Sequence, residues 1–259
     1  RDASAGAIGD GAVFEGPFGD HTGFYSMPDR YPIVEVSAVT HREKPIYPTT
    51  VVGLPPQEDY ALGKATERVM LPLLKTILPD IVDYHLPMFG AFHNVAFVKI
   101  KKHYPLHARK VMHGIWGAGQ MAWTKTIVVV DEDVDVHDLS AVLAAVYQNC
   151  KPSRDIERVH GALDILDHAA PRLGSGMKIG FDATQKIPGE DIDGCSIGTE
   201  KDLQSEAECT QFVAIAKNIP GVLDASAPDS SLCWMFVCAD REHDAAAQEG
   251  LAQRIINEL

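Results

Sequence analysis

Residues 126–149, "TIVVVDEDVDVHDLSAVLAAVYQN", decide the fold class. The opening "TIVVVD" is a short β-branched run of the length and character of a buried strand. Asp138 then stands where a helix N-cap belongs. Leu139, Val142, Leu143, Val146 and Tyr147 follow at helical spacing, so a capped helix with one apolar face is expected. A buried strand that runs directly into such a helix is the unit of an α/β layer.

Working upstream, "HARKVMHGIWGAGQ" reads as a helix with Ala108, Val111, Met112 and Ile115 on one face, and "NVAFVKIKK" as another strand. Leu62, Ala65, Val69, Leu73 and Ile77 predict a further helix after the "GLPPQED" loop, with Asp59 as its cap, Pro72 as a kink and Pro79 as its end. Strands and helices therefore alternate over 60–150, with the direction of strand pairing open. Residues 31–52 predict two strands joined by a polar "HREKP" turn, because Val34, Val36 and Ala38 alternate with Glu35 and Ser37. Together with 11–25 they make a β segment too small to be a whole sheet. The Gly- and Ala-rich start, 1–11, is expected to be mobile or partner-dependent.

Downstream, "GFDATQKIPGEDIDGCSIG" reads as a Gly-rich loop. The tail reads as a helix after Thr199, a strand "LCWMFVCAD" and a closing helix from Asp244. The expected organisation is a β segment over 1–56, an α/β domain over 57–190 and a small α/β extension over 191–259.

Composition narrows the function classes. The chain of 259 residues is 46% hydrophobic and 23% charged, the balance of a globular protein with a sizeable core. Its net charge of −13 argues against a general affinity for nucleic acid or anionic membranes. No apolar run has the length of a membrane span. Five scattered cysteines without a CxxC spacing argue for reduced thiols, and with no leader-like segment the expected location is the cytoplasm.

The chemistry-bearing candidate is "EGPFGDHTGFY", residues 15–25. Glu15 and Asp20 lie across a Gly-Pro-Phe-Gly bend, where glycines permit a turn that aims both acids at one space. Two neighbouring carboxylates repel, which raises one pKa and keeps a proton available near neutral pH. The residues alone leave a second reading open, a solvated acidic turn at a strand end. "DEDVDVHD", 131–138, resembles a metal cluster but lacks the glycine and terminal glutamate of a calcium loop, and reads as the acidic entrance of a helix. Pro105 argues against His103 and His107 sharing a helix face. "GAGQ", 117–120, reads as a helix C-cap, and the glycines of "LGSGMKIGFDAT" suit close backbone approach. His168, in "LDHAAP", fits either a pocket wall or a hydrogen-bonded core.

Five segments in order, "EGPFGDHTGFY", "YPIVEVSAVTHREKPIYPTTVVGLPPQED", "QMAWTKTIVVVDEDVDVHD", "LDHAAP" and "GFDATQKIPGE", resemble the UbiD family of reversible decarboxylases over roughly residues 12–190. The resemblance implies non-oxidative decarboxylation of an aromatic or α,β-unsaturated carboxylic acid. The modified flavin, prenylated FMN, forms an adduct with the substrate, carbon dioxide leaves, and an acid returns a proton to carbon. The family's acid motif falls on Glu15 and Asp20, with Asp20 as proton donor and Glu15 as its partner. Gln120 falls near a flavin-phosphate contact. Trp123, Thr124 and His168 fall where members line the substrate pocket.

The resemblance also implies what lies elsewhere. The family's catalytic arginine and its ligands for a divalent metal such as Mn2+ lie upstream of the acid motif, so no metal ligand is assigned in this chain, and K+ accompanies the metal in members. The chain therefore resembles the C-terminal portion of such an enzyme: closing strands of a split β-barrel, an α/β domain and an extension. Expected partners are a small carboxylic acid (a hydroxybenzoate or naphthoate of quinone biosynthesis among them), a prenyl-flavin synthase as cofactor supplier, and a homo-oligomer or a partner chain carrying the missing flavin half. The alternative is a non-catalytic assembly subunit of a split carboxylase.

Overall fold

The structure, a computed structural model, describes residues 12–190, 206–227, 236–239, 250, 251 and 254. The expectations for 1–11, 191–205, 232–235 and 244–249, with Cys195 and Cys233 among them, fall outside the described residues. The chain divides into two compact units, Arg1–Cys195 and Ser196–Leu259.

The first unit is built on a mixed five-stranded sheet. Its strands are β3 (Ile81–His85), β4 (Val95–Ile100), β5 (Thr126–Asp131), β6 (Ile156–Ala162) and β7 (Ser175–Asp182), in the order β3-β4-β5-β7-β6. The three central strands run parallel and each edge strand is antiparallel to its neighbour. The α/β reading therefore holds, with the "TIVVVD" strand at the centre. Ile127 and Val129 join Ala108, Val111, Met112 and Ile115 of α2 (His107–Trp116) in one buried cluster. Val128 and Val130 point to the opposite face and are also buried. Helix α3 (Leu139–Asn149) packs on β5 and β7, and Asp138 caps it by accepting from Ser140 N at 2.9 Å. Its buried residues are Val142, Ala145 and Val146, whereas Leu139 faces solvent.

Several expectations need correction. The strand β7 continues through Asp182, so Gly180 to Asp182 are ladder and not loop. Gly180 serves packing: a Cβ there would lie 2.5 Å from Met112 Sδ and 3.2 Å from the Trp116 ring. Strand β3 escapes a period-two reading because a register shift between Ile81 and Asp83 turns both Ile81 and Tyr84 inward. Helix α1 (Glu58–Ile77) starts after Gln57 rather than at a capping Asp59. Its stripe Leu62, Val69, Leu73 and Ile77 is exposed, and the buried side chains are Glu67 and Leu74.

Preceding α1, β1 (Val13–Glu15) and β2 (Asp29–Tyr31) form a two-stranded antiparallel pair. The two strands expected over 31–52 are not formed. Residues 32–57 run without a ladder, and Val34, Val36, Ile46 and Tyr47 are all more than 60% exposed. The alternation is a strand's, but no described strand lies alongside to accept its hydrogen bonds. No closed barrel is present among the described residues.

The second unit contains α5 (Glu206–Lys217), numbered after the short helical turn α4 (Pro152–Asp155) of the first unit. It also contains the antiparallel pair β8 (Val222–Ser226) and β9 (Phe236–Ala239). Cys238 is exposed on β9. Residues 250, 251 and 254 are helical, within the expected closing helix.

Candidate active site

The acid motif folds into a self-bonded turn. Asp20 N donates to Phe24 O at 2.9 Å, Ser26 N to Phe18 O at 2.7 Å, and Gly19 bridges to Tyr25. Gly16, at φ +99°, adopts a backbone conformation that L side chains rarely reach, and Gly23, at φ +86°, leaves room for the Leu54 side chain. The turn closes on Asp20, whose side chain is 10% exposed.

Both oxygens of that carboxylate are engaged. Oδ1 accepts from Thr22 N at 2.7 Å and from the Thr22 hydroxyl. Oδ2 lies 3.0 Å from His168 Nε2, whose ring packs against Phe24 at 4.9 Å between centroids. Burial pushes the Asp20 carboxyl up, but the hydrogen bonds from Thr22 and His168 outweigh it and hold the group below the usual carboxylate range. This reverses the expectation of a raised pKa from Glu15. Glu15 sits on the exposed strand β1, and the groups that tune Asp20 are Thr22 and His168.

His168 belongs to the β6–β7 connection, which is tied down locally. Asp164 Oδ1 accepts from Leu166 N at 2.8 Å, and Asp167 Oδ1 accepts from Ala169 N at 3.0 Å. Asp167 Oδ2 also takes a 2.8 Å hydrogen bond from Lys125 Nζ. Lys125 directly follows Thr124, so that one ion pair couples the start of β5 to the residue before His168. Thr124 itself is buried, and its carbonyl accepts from Trp116 Nε1 at 3.0 Å. Trp123 is 41% exposed and Gln120 is exposed, both in the 3-10 turn Gly119–Trp123.

The structure thus brings Asp20 and His168 together and places Thr124 one residue from their support. It does not join Glu15, Gln120 or Trp123 to that pair by a hydrogen bond. The sequence reading missed Thr22, His21, His93, Asp164, Lys125 and Asp167. His21 and Thr22 lie inside the quoted motif, so their place beside Asp20 was a usable signal. His93 precedes a strand without any pattern of its own.

A flavin mononucleotide would need an aromatic or apolar wall, a polar edge and a cationic phosphate clamp. The described residues fit the first two: Phe18, Phe24, Tyr25 and Trp123 are exposed aromatic surfaces, and Gln120 is an exposed amide. A clamp is not supplied near Gln120. Lys178 turns inward to the Ala122 carbonyl, and Lys125 is paired with Asp167. Among the described residues no three His, Cys, Asp or Glu side chains gather as a metal site. In "DEDVDVHD", Asp138 caps α3 and His137 reaches Asp83 at 3.1 Å.

Comparison with known proteins supplies the family. Residues 60–183 match the C-terminal domain of 3-octaprenyl-4-hydroxybenzoate carboxy-lyase (UbiD), and residues 5–55 match its Rift-related domain. A protein of Archaeoglobus fulgidus is 53% identical over 173 residues, which are 66% of this chain and 36% of that protein. One from Aquifex aeolicus is 53% identical over 174 residues, 67% of this chain and 36% of its own length. Among solved structures, the UbiD-class enzyme HmfF from Pelotomaculum thermopropionicum, in complex with FMN, is similar with a TM-score of 0.55 at 31% identity. That similarity covers 72% of this chain and 42% of HmfF. The closed form of vanillic acid decarboxylase from Sedimentibacter hydroxybenzoicus gives 0.64 at 25% identity, covering 80% and 44%. The chain spans about 36% of the length of those curated relatives.

Proposed function

The chain belongs to the UbiD carboxy-lyase family, and from that premise we propose that it forms the acid-bearing part of a prenylated-FMN-dependent decarboxylase. The substrate class is an aromatic or α,β-unsaturated carboxylic acid, and the vanillic acid decarboxylase among the similar structures favours the aromatic kind. The single observation that carries the reading is the buried, doubly hydrogen-bonded Asp20 with His168 at 3.0 Å. When bound, the prenylated flavin supplies an electron sink for the pair released as carbon dioxide leaves.

The residues of this chain then manage one proton. Because Asp20 is held below the usual carboxylate range, its resting form near neutral pH is the carboxylate. A proton bound for carbon therefore has to reach it, and His168 Nε2–H is in hydrogen-bonding contact. As His168 takes a solvent proton at Nδ1, its Nε2–H bond breaks and Asp20 Oδ2–H forms, so the ring ends neutral, and Asp20 then passes that proton to the substrate carbon. The His168 side chain is 24% exposed, so water can restore its proton. Phe24 packs against the ring at a 33° tilt and limits its orientation. Thr22 fixes the other carboxylate oxygen, leaving Oδ2 as the transferring atom. Glu15 adds negative charge at the mouth of the turn. Gln120, Trp123 and Thr124 bound the cofactor and substrate side. The ligands for Mn2+ and K+ come from outside this sequence.

Two exposed apolar surfaces support a larger assembly: the unladdered 32–54 tract, and the α1 stripe Leu62, Val69, Leu73 and Ile77. A segment or partner chain that supplies the remaining barrel strands would pair with the first, and a second copy or subunit would cover part of the second. The same surfaces favour, as the second reading, a non-catalytic assembly subunit. The test is decarboxylation by the flavin-loaded assembly, with the wild-type chain compared against Asp20→Asn. Loss of carbon dioxide release in Asp20→Asn with flavin retained supports catalysis; unchanged release leaves the assembly role.

A further inference from the structure

A second histidine contact grips the acid turn from the other side. His21 Nε2 lies 2.8 Å from His93 Nε2, so one ring donates and the other accepts. The His21 ring also packs on Phe92 at 4.7 Å between centroids. The α/β domain presents these two residues on an unusual backbone: Ala91 and Phe92 both adopt left-handed conformations, at φ 50° and 49°, without being glycine. Such conformations are uncommon for non-glycine residues and persist where surrounding structure holds them. Helix α1 provides that hold, since Gly63 leaves space that a Cβ would fill, 2.8 Å from the Phe92 ring.

The far side of His93 faces the same connection that carries His168. Its Nδ1 is buried without a hydrogen-bond partner and stands 3.7 Å from Asp164 Oδ2. Asn94, next in sequence, accepts at its carbonyl from Lys125 N and Thr126 N, fixing His93 to the start of β5. The acid turn is therefore held at two adjacent residues. Asp20 bonds to His168, and His21 bonds to His93, with Asp164 and His168 both on the β6–β7 connection.

We propose that His93 is a positioning residue: through His21 it holds the acid turn against the α/β domain, so that Asp20 stays in hydrogen-bonding contact with His168. The inference rests on the reading of Asp20 as the proton donor. It gains a pH dependence from the pair itself. Two imidazoles that share one hydrogen bond lose it when both carry protons, because neither then accepts. The groups facing His93 are His21 from the acid turn and Asp164 and Asp167 from the β6–β7 connection, with Asn94 beside it. Burial chiefly, and then His21, hold His93 toward its neutral form, against the two aspartates.

The experiment is amide hydrogen exchange over residues 18–26 in the flavin-loaded holoenzyme, with kcat and KM measured on the same preparations. His93→Ala should speed exchange at 18–26 by about tenfold while β4 and β5 keep wild-type protection. It should lower kcat about tenfold or more with KM within about twofold, the mark of misplaced chemistry rather than lost binding. His93→Gln, which can still donate to His21, should restore most of both. In the wild type the exchange at 18–26, corrected for its intrinsic pH dependence, should rise as the pH is lowered, and in His93→Gln that rise should flatten. Wild-type protection of 18–26 in a folded His93→Ala protein would overturn the proposal. If His93→Ala does not fold, His21→Ala deletes the same contact from the side of the acid turn and is judged by the same readouts. A holoenzyme that shows no decarboxylation would count against the proposed function, and the exchange measurement would still decide the clamp.

Discussion

Asp20 and His168 stand 148 residues apart in sequence and 3.0 Å apart in space. The contact makes the acidity of Asp20 a property of two distant segments, and it orders the expected effects of their substitution. Asp20→Asn should reduce decarboxylation by about a thousandfold or more, since the amide can neither take up a proton from His168 nor pass one to carbon. His168→Asn should reduce it by about 10- to 100-fold, the range of a lost proton-delivery partner. Carbon dioxide release at saturating substrate measures both, with flavin absorbance confirming that cofactor remains bound.

Acid sensitivity should come from a half-buried histidine before any carboxylate. Burial chiefly, with Lys64 Nζ 2.7 Å away, pushes His85 down to about 4. In the unfolded chain it takes a proton near pH 6.5. Between those values the unfolded state binds more protons, so stability is full above about pH 6.5 and is lost as pH falls toward 4. The loss from this group should be about 1–3 kcal/mol after allowance for its partial exposure. His93 and His107 are shifted in the same direction, chiefly by burial, and add to it. Denaturant midpoints at about pH 7 and about pH 5 should differ less in His85→Asn than in the wild type.

Glu67 is the buried anion that joins α1 to β3. Its Oε2 accepts from Lys64 Nζ at 2.6 Å and from Leu86 N at 2.6 Å, and Oε1 lies 2.7 Å from Arg68. Glu67→Ala would leave the Leu86 N–H without its acceptor and take the carboxylate from Lys64 and Arg68, which keep His85 and Asp83 beside them. The expected destabilisation is about 2–4 kcal/mol, discounted because both cations reach solvent. Thermal unfolding measures it. Glu67→Gln should cost less, since the amide oxygen still accepts.

Gly180→Ala should act through packing alone. The new methyl meets the fully buried Met112 side chain, and the Trp116 ring is next in line. An overpacked core position of this kind costs about 1–3 kcal/mol. A lowered unfolding midpoint with unchanged KM would match; an unchanged midpoint would mean that Met112 gives way freely.

The apolar stripe of α1 should govern assembly. Val69→Glu with Leu73→Glu places charge on an exposed face away from Glu67 and Leu74. Light scattering on the assembled enzyme should report a smaller species, with the α1 helix intact by circular dichroism.

What the sequence disclosed follows physical range. The central strand at 126–131, the capped helix after Asp138 and the inward face of α2 were legible because near neighbours set their pattern. The ladder over 31–52 was misjudged because alternation reports a strand's tendency and not the presence of its partner. The stripe on α1 was legible as a helix but not as a surface, since spacing cannot say which neighbour covers a face. Strand β3 was hidden by its bulge, and the end of β7 by glycines that serve packing. Of the site, Asp20 was readable from its motif. His168 was readable only as a pocket-wall or core histidine and not as the hydrogen-bond partner of Asp20, because a contact across 148 residues leaves no local trace.

The acid turn bonds chiefly to itself, from Gly19–Tyr25 to Phe18–Ser26, and meets the α/β domain through two imidazoles. Three of the exposed aromatics, Phe18, Phe24 and Tyr25, ride on the same turn, so any displacement of it carries acid and aromatic surface together. For an engineer, that makes residues 15–26 a cassette to be exchanged whole, with His93 and His168 kept opposite it.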